Sequence, residues 1–114
     1  MTSPDRGEVW LVSLDRTTAA VPCLIVSTPA LQQDRAVVTL IPYTTNLQGY
    51  YYEVDIGISF LEPGVFDIQT LITVPQAQVM EKLGELDLAQ LLKIEDVLLS
   101  WLGFETVNPD EAEP

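Results

Sequence analysis

The sequence predicts a small, mainly β protein (α+β) that ends in one amphipathic helix. Short apolar, β-branched runs fill the first two thirds of the 114-residue chain, and turn residues separate them at roughly the 8–12-residue spacing of small β folds. The pattern then changes to a helical period. The length suits one domain. We therefore expect five to six short, mostly antiparallel strands in a small barrel or sandwich, with the helix packed on them.

Five runs are candidate strands, and two of them are nearly all apolar. In order they are Glu8–Leu14, Pro22–Ser27, Ala36–Ile41, Tyr50–Ile56 and Val65–Val74. The second and third runs are rich in β-branched residues, as expected for strands that are covered on both faces. The turn residues Glu62-Pro-Gly64 separate the last two runs.

The helix is predicted by its two ends and by its apolar stripe. Asp87 is the expected N-cap, Gln90 stands in the capping-box position, and Gly103 is the expected stop. Apolar residues recur at helical spacing at Leu88, Leu91, Leu92, Val97, Leu98 and Leu102. We expect Trp101 and Phe104 to extend the core packing at the end of this helix.

The two ends of the chain lack the patterns of folded elements. We expect residues 1–5 to be a disordered N-terminus, residues 6–104 to be the domain, and residues 105–114 to be an acidic, flexible tail. No apolar run approaches the roughly 20 residues that span a bilayer, and the first residues do not resemble a signal peptide. The expected location is the cytoplasm, without membrane association.

The composition excludes several kinds of catalytic site. The chain has no histidine, so it lacks the base of Ser-His-Asp and Cys-His sites. Its one cysteine, Cys23, lies in an apolar run and is expected to be a buried, inert thiol. One cysteine cannot form a zinc site or an internal disulfide, and no compact Asp-x-Asp loop is present. We expect no metal and no cofactor.

Five segments, spread over about residues 6 to 104, resemble the PemK/MazF family of toxins from bacterial toxin–antitoxin systems. They are Arg6-Gly-Glu-Val-Trp10, Pro22-Cys-Leu-Ile-Val-Ser27, Leu40-Ile-Pro-Tyr-Thr-Thr45, Tyr51-Tyr-Glu-Val54 and Glu81-Lys-Leu-Gly-Glu-Leu86. The resemblance implies an SH3-like, partly open β-barrel with a C-terminal helix. It also implies a homodimer and metal-independent cleavage of single-stranded RNA.

The resemblance implies a catalytic hydroxyl but leaves the expected cations missing. The family's Ser or Thr at the end of the third strand corresponds to Thr44, with Thr45 as the alternative register. The family's Arg before the second-strand proline is replaced by Val21, and Ile72 stands where the family has a second basic residue. The loop over the RNA groove is shortened to Asp15-Arg-Thr-Thr-Ala-Ala-Val-Pro22.

Two arginines and one tyrosine remain as further candidates. Arg16, in the shortened loop, offers a replacement for the missing catalytic Arg; the alternative is a solvated arginine paired with Asp15. Arg6 and Tyr51, together with Thr45, are the candidate substrate-binding residues. The run Tyr50–Tyr52 could stack on bases or, without accompanying cations, pack inward or face a protein.

The charge pattern opposes RNA binding. The chain carries 17 acidic and 5 basic residues, for a net charge of −12. Residues 36–81 contain no Lys or Arg, but they do contain Glu53, Asp55, Glu62, Asp67 and Glu81. Because RNA binding depends on cationic contacts to phosphate, we expect weak or no RNA binding.

Three functions are compatible with these observations. The first is a degenerate PemK/MazF-like protein with reduced or lost endoribonuclease activity that acts through protein contacts. The second is an active endoribonuclease toxin with a rearranged site, and the third is a small structural or regulatory interaction module. Antitoxins of the resembled family are typically acidic where they wrap the toxin. An acidic segment would be repelled here, so we expect a neutral or basic partner.

Overall fold

Seven strands form one sheet, and a single helix follows them, in a computed structural model that describes residues 3–15 and 17–104. The strands are β1 (Glu8–Val12), β2 (Val21–Ile25), β3 (Val37–Thr44), β4 (Glu53–Val54), β5 (Val65–Asp67), β6 (Ile72–Pro75) and β7 (Val79–Glu85). The helix, α1, spans Leu88–Leu102. Two short 3-10 turns, Ile68–Thr70 and Gln76–Gln78, flank β6.

The sheet is antiparallel and open. Its order is β4-β5-β3-β2-β1-β7, and β6 also pairs with β3. Strand β3 is long enough to carry both partners on one edge, with β6 along its first half and β5 at its end. The predicted class, a mainly β, partly open fold with a C-terminal helix, is confirmed.

The strand count and several bounds differ from the sequence-based expectation. The described residues form seven strands rather than five or six. The run Tyr50–Ile56 contracts to β4 because Tyr51 and Tyr52 form a turn. The run Val65–Val74 is broken into β5 and β6 by the turn at Ile68–Thr70. Strand β7 was not predicted, because its charged residues and its two register shifts against β1 hide the alternation.

Two apolar cores lie on opposite faces of the sheet. Successive residues of β2 point to opposite faces, so Leu24 joins one core while Cys23 and Ile25 join the other. The helix-side core also contains Leu91 and Ile94 of α1. The central strands are therefore covered on both faces, as their continuous apolar sequences predict.

The ends of α1 are as predicted, but its buried face is not. Asp87 and Gln90 form a reciprocal capping box, and Gly103 ends the helix with a φ of +80° in the left-handed region that favours glycine. Only Leu91 and Ile94 of the helix are buried. The expected core packing of Trp101 and Phe104 is wrong: these side chains are 42% and 66% exposed.

The remaining predicted stripe is split between two sides of α1. Val97 and Leu98 are partly buried against the helix-side core, whereas Leu88, Leu92 and Leu102 are exposed. The predicted stripe therefore combines the sheet-facing side of the helix with a neighbouring apolar side that is exposed.

Cys23 is confirmed as a buried thiol. It is fully buried in the opposite core, and burial raises its pKa to about 12. A thiol with this pKa is protonated at neutral pH and is a poor nucleophile.

Parts of the predicted terminal segments lie outside the residues that the structure describes. The predicted tail, residues 105–114, lies outside the described residues, as do residues 1–2 and Arg16. In the predicted N-terminal segment, Pro4 is buried. The domain boundaries stay a prediction. Within the described ranges, no helix combines the length and apolar composition needed to cross a membrane.

Candidate functional site

Thr44 lies at the end of β3 and lines a cavity of about 420 Å³. We call this the threonine cavity; its lining residues are Pro22, Tyr43, Thr44, Thr45, Phe60, Leu61 and Glu62. Strand β2 contributes the proline, the end of β3 contributes the aromatic and hydroxyl residues, and the loop before β5 closes the other side. The structure thus brings together the two predicted hydroxyl residues, Thr44 and Thr45.

Close packing fixes the walls of the threonine cavity. The Tyr43 hydroxyl donates a hydrogen bond of 2.6 Å to the Glu62 carbonyl, which ties the loop to β3. The Thr44 hydroxyl accepts a hydrogen bond of 3.0 Å from the Asn46 backbone N–H. Gly64 packs so closely that a Cβ there would lie 2.4 Å from the Thr44 carbonyl oxygen. Glycine is therefore required where β5 meets β3.

An apolar wall that sequence reasoning missed faces the two threonines. It consists of Pro22, Phe60 and Leu61. The Phe60 ring also packs over Gly84 of β7, where an added Cβ would lie 2.7 Å from it. The loop residues carry no periodic pattern that predicts a site, and only the proline lay in a motif. The cavity is thus half apolar and half hydroxyl-lined.

The charged side chains at and near the threonine cavity are acidic. Glu62 lines it directly. Burial raises the pKa of the Tyr43 phenol, and the nearby negative charge of Asp55 raises it further. The described cations do not line the cavity. Such a site offers hydroxyls and apolar surface but no positive charge from the described residues.

The four described cations are engaged or located elsewhere. Arg6 forms a two-point ion pair with Glu95 of α1, and this carboxylate raises the pKa of the arginine. Lys82 pairs with Glu8 at 2.8 Å and also reaches Glu85. Arg35 lies in the β2–β3 loop and Lys93 lies on α1, and neither lines the threonine cavity.

Val21 and Ile72 occupy the two positions at which the sequence resemblance implied cations. Val21 is the first residue of β2 and packs against the opposite core, on the face away from Pro22. Ile72 lies in β6 and is exposed. Neither residue lines the threonine cavity.

Of the other predicted site residues, Arg6 and Tyr51 do not line the threonine cavity with Thr44. Arg6 is held against α1, and Tyr51 lies in the turn before β4. Arg16 falls outside the described residues. Its neighbour Asp15 accepts hydrogen bonds from the backbone N–H and the hydroxyl of Thr17, which lower the pKa of this carboxyl.

The loop between β3 and β4 is held by one carboxylate. Glu53 accepts hydrogen bonds from the backbone N–H groups of Gln48, Gly49 and Tyr50. This arrangement leaves Tyr51 86% exposed at the tip of the following turn. The tyrosine run is therefore part of a loop and turn rather than a strand.

An aromatic cluster forms where this turn meets α1. The Tyr51 and Tyr52 rings meet edge to face with centroids 4.9 Å apart, and Tyr52 lies 5.1 Å from the Trp101 ring. Beside them is a second cavity of about 300 Å³, lined by Tyr51, Tyr52, Asp96, Val97 and Ser100. Tyr51 belongs to this cavity rather than to the threonine cavity.

No cluster of three or more His, Cys, Asp or Glu side chains suited to a metal ion occurs in the described part of the chain. The expectation of a site without a metal or cofactor stays a prediction.

The open antiparallel sheet with one C-terminal helix is the fold of MazF-type toxins. The family model described as the PemK-like, MazF-like toxin of type II toxin-antitoxin systems matches residues 5–102, and the chain belongs to this family. The resemblance inferred from the five sequence segments is therefore confirmed. No curated protein matches the sequence.

Solved structures match nearly the full length of the chain. An endoribonuclease in complex with its cognate antitoxin from a mycobacterial species has 29% identity and a TM-score of 0.76, covering 94% of this chain and 100% of its own. MazF in the MazE–MazF complex of Deinococcus radiodurans has 25% identity and a TM-score of 0.75, covering 92% and 100%. The Mycobacterium tuberculosis toxin MazF-mt6, at 21% identity, shares the fold with a TM-score of 0.71, covering 87% and 99%.

Proposed function

We propose that this chain is a PemK/MazF-family protein with reduced or lost endoribonuclease activity, and that it acts in the cytoplasm through contacts with a protein partner. One observation carries the proposal: the threonine cavity presents Thr44 beside Glu62 and an apolar wall, with no described cation lining it. Cleavage of RNA without a metal requires neutralisation of a crowded anionic phosphoryl group. Hydroxyl groups and a carboxylate do not neutralise this negative charge.

The binding of RNA provides the direct test of this observation. Each phosphate that a protein neutralises on a single strand adds about 0.7 to the slope of log affinity against log salt. We expect a fluorescently labelled single-stranded RNA to show no saturable binding by anisotropy at low salt. Saturable binding with a steep salt slope, weakened by Thr44→Ala, would contradict the proposal.

An active endoribonuclease is the second candidate function. It is supported by the position of Thr44 and by the mycobacterial endoribonuclease with the same fold. In that case Arg16 would provide the cation that the described cavity lacks. Specific RNA cleavage that Arg16→Ala abolishes, with Arg35→Ala as the control, would favour this function.

A homodimer is part of the proposal, and α1 supplies its contact. One side of the helix exposes four leucines, Leu88, Leu92, Leu99 and Leu102. Together with Glu95, which lies between the second and third of them, they follow the alternating four- and three-residue spacing of paired helices. We call these four residues the leucine stripe. A two-fold axis would bury two copies of this self-complementary surface.

The proposed partner is antitoxin-like in position but neutral or basic in charge. Relatives with this fold are solved in complex with a cognate antitoxin or with MazE. At a net charge of −12, an acidic segment would be repelled from this chain. The half-apolar threonine cavity suits an apolar side chain of such a partner. Capture of a strongly acidic partner alone would contradict this charge preference.

A further inference from the structure

We propose that the cavity between α1 and the turn before β4 binds the guanidinium or ammonium group of a basic protein partner. We call this cavity the aromatic cleft; its lining residues are Tyr51, Tyr52, Asp96, Val97 and Ser100. This inference rests on the proposed function, because it gives the basic partner a specific point of contact. It shares no lining residue with the threonine cavity.

The aromatic wall of the cleft is suited to a cation. The faces of aromatic rings attract cations within about 6 Å of the ring centroid, most strongly when water is partly excluded. Tyr51 is almost fully exposed at the mouth, and Tyr52 is held between Tyr51 and the Trp101 ring. The outer ring is therefore accessible to a side chain that enters the cleft, while the inner ring packs between two other rings.

The opposite wall supplies the matching charge. Asp96 lines the cleft and makes no ion pair with any described residue, whereas Glu8 and Glu95 are both paired. Ser100 lies one helical turn further on and adds a hydroxyl acceptor on the same wall. Val97 gives an apolar surface for the methylene stem of an arginine or lysine.

The same chemistry excludes an anionic ligand. The cleft is lined by the carboxylate of Asp96 and by none of the described cations, so a phosphate inside it would be repelled. Lys93, one turn before Asp96, is the described cation on this side of α1, and it forms no ion pair with Asp96. The cleft is thus open to a cation from outside. A volume of about 300 Å³ fits one side chain rather than a folded surface.

The cleft borders the proposed dimer contact but shares no residue with it. At about 100° per residue, Asp96 lies about 40° around α1 from Leu92, and Ser100 lies about 100° from Leu99. No leucine of the stripe lines the cleft, so each surface can be changed by substitutions that leave the residues of the other in place.

NMR titration of the full chain with a small cation provides the test. The probe is N-acetyl-arginine amide, and the matched probe is N-acetyl-citrulline amide, which has nearly the same shape without the charge. We expect the arginine derivative to shift the amide resonances of Tyr51, Tyr52, Asp96 and Ser100 in a saturable way. We expect Asp96→Asn and Tyr51→Ala to weaken this binding roughly two- to fivefold each.

Asp34→Asn is the control variant, because Asp34 is also exposed and unpaired within the described chain but lines a different cavity. It should leave the titration unchanged. Equal shifts with the citrulline derivative, shifts spread over the whole acidic surface, or no shifts at the cleft would overturn the proposal. RNA binding at the threonine cavity is measured separately, so failure of the proposed function and failure of the cleft give different results.

Discussion

Local hydrogen bonds and burial decide what individual side chains of this protein can do. Arg6 looks available for RNA in the sequence, but Glu95 holds it against α1. Thr44 occupies the expected place, yet its hydroxyl already accepts a hydrogen bond from Asn46. Val21 packs against the opposite core at the position where the sequence resemblance implied an arginine.

Cys23 provides a prediction about reactivity and pH. Its burial raises the pKa from 9.0 to about 12. Between these two pH values the thiol is protonated in the native protein and ionised in the unfolded protein. We expect iodoacetamide to leave the native protein unmodified at pH 8 and to alkylate it in denaturant. The contribution of this thiol to the free energy of unfolding is complete below pH 9.0 and falls as the pH rises toward 12. Rapid alkylation of the native protein would contradict this burial.

The capping box gives a second prediction. The Asp87 side chain accepts a hydrogen bond from the Gln90 backbone N–H at 2.8 Å, which satisfies one of the free donors at the start of α1. Asp87→Ala should lower the free energy of unfolding by about 1 kcal/mol in urea denaturation. Asp34→Ala, in an exposed loop, should change it by less than roughly 0.5 kcal/mol. Equal effects of the two variants would count against the cap.

At the scale of elements, the exposed leucine stripe of α1 predicts how two copies meet. Leu92→Glu with Leu99→Glu should convert the dimer to a monomer of 12.6 kDa by light scattering, because two unpaired negative charges would be added beside Glu95 at the contact. Ala89→Glu, about 100° around the helix from Leu88, should leave the dimer intact. A wild-type protein that is monomeric at micromolar concentration would refute the dimer.

Elements with a local signal were predicted from sequence, and elements set by tertiary contacts were not. The helix ends follow from Asp87, Gln90 and Gly103 because caps depend on neighbouring backbone groups. Strand β7 was missed because its pairing with β1 is irregular. The buried side of α1 could not be separated from the leucine stripe, because both are apolar in sequence.

The candidate site was only partly predictable for a related reason. Thr44 and Thr45 were identified because they end a strand within a recognisable motif. The apolar wall of Phe60 and Leu61 comes from an irregular loop, whose position depends on packing against Gly84 and on the hydrogen bond from Tyr43. The aromatic cleft joins a turn to a helix more than forty residues later in the chain, which no sequence pattern indicates.

For the molecule as a whole, the fold and the net charge indicate different functions. The fold is that of a family that includes endoribonucleases, and the chain matches it over residues 5–102. The net charge of −12 and the acidic threonine cavity oppose the binding of RNA. A fold can be kept while its site changes, so activity must be argued from the residues of the site.

The most direct measurement is cleavage of a long, mixed-sequence single-stranded RNA by the purified protein with EDTA present. Thr44→Ala is the test variant, and Thr28→Ala, in an exposed loop, is the matched control. We expect no specific cuts, and no difference between the wild-type protein and either variant. Specific cuts that disappear in Thr44→Ala but persist in Thr28→Ala would contradict a degenerate site and establish an active endoribonuclease.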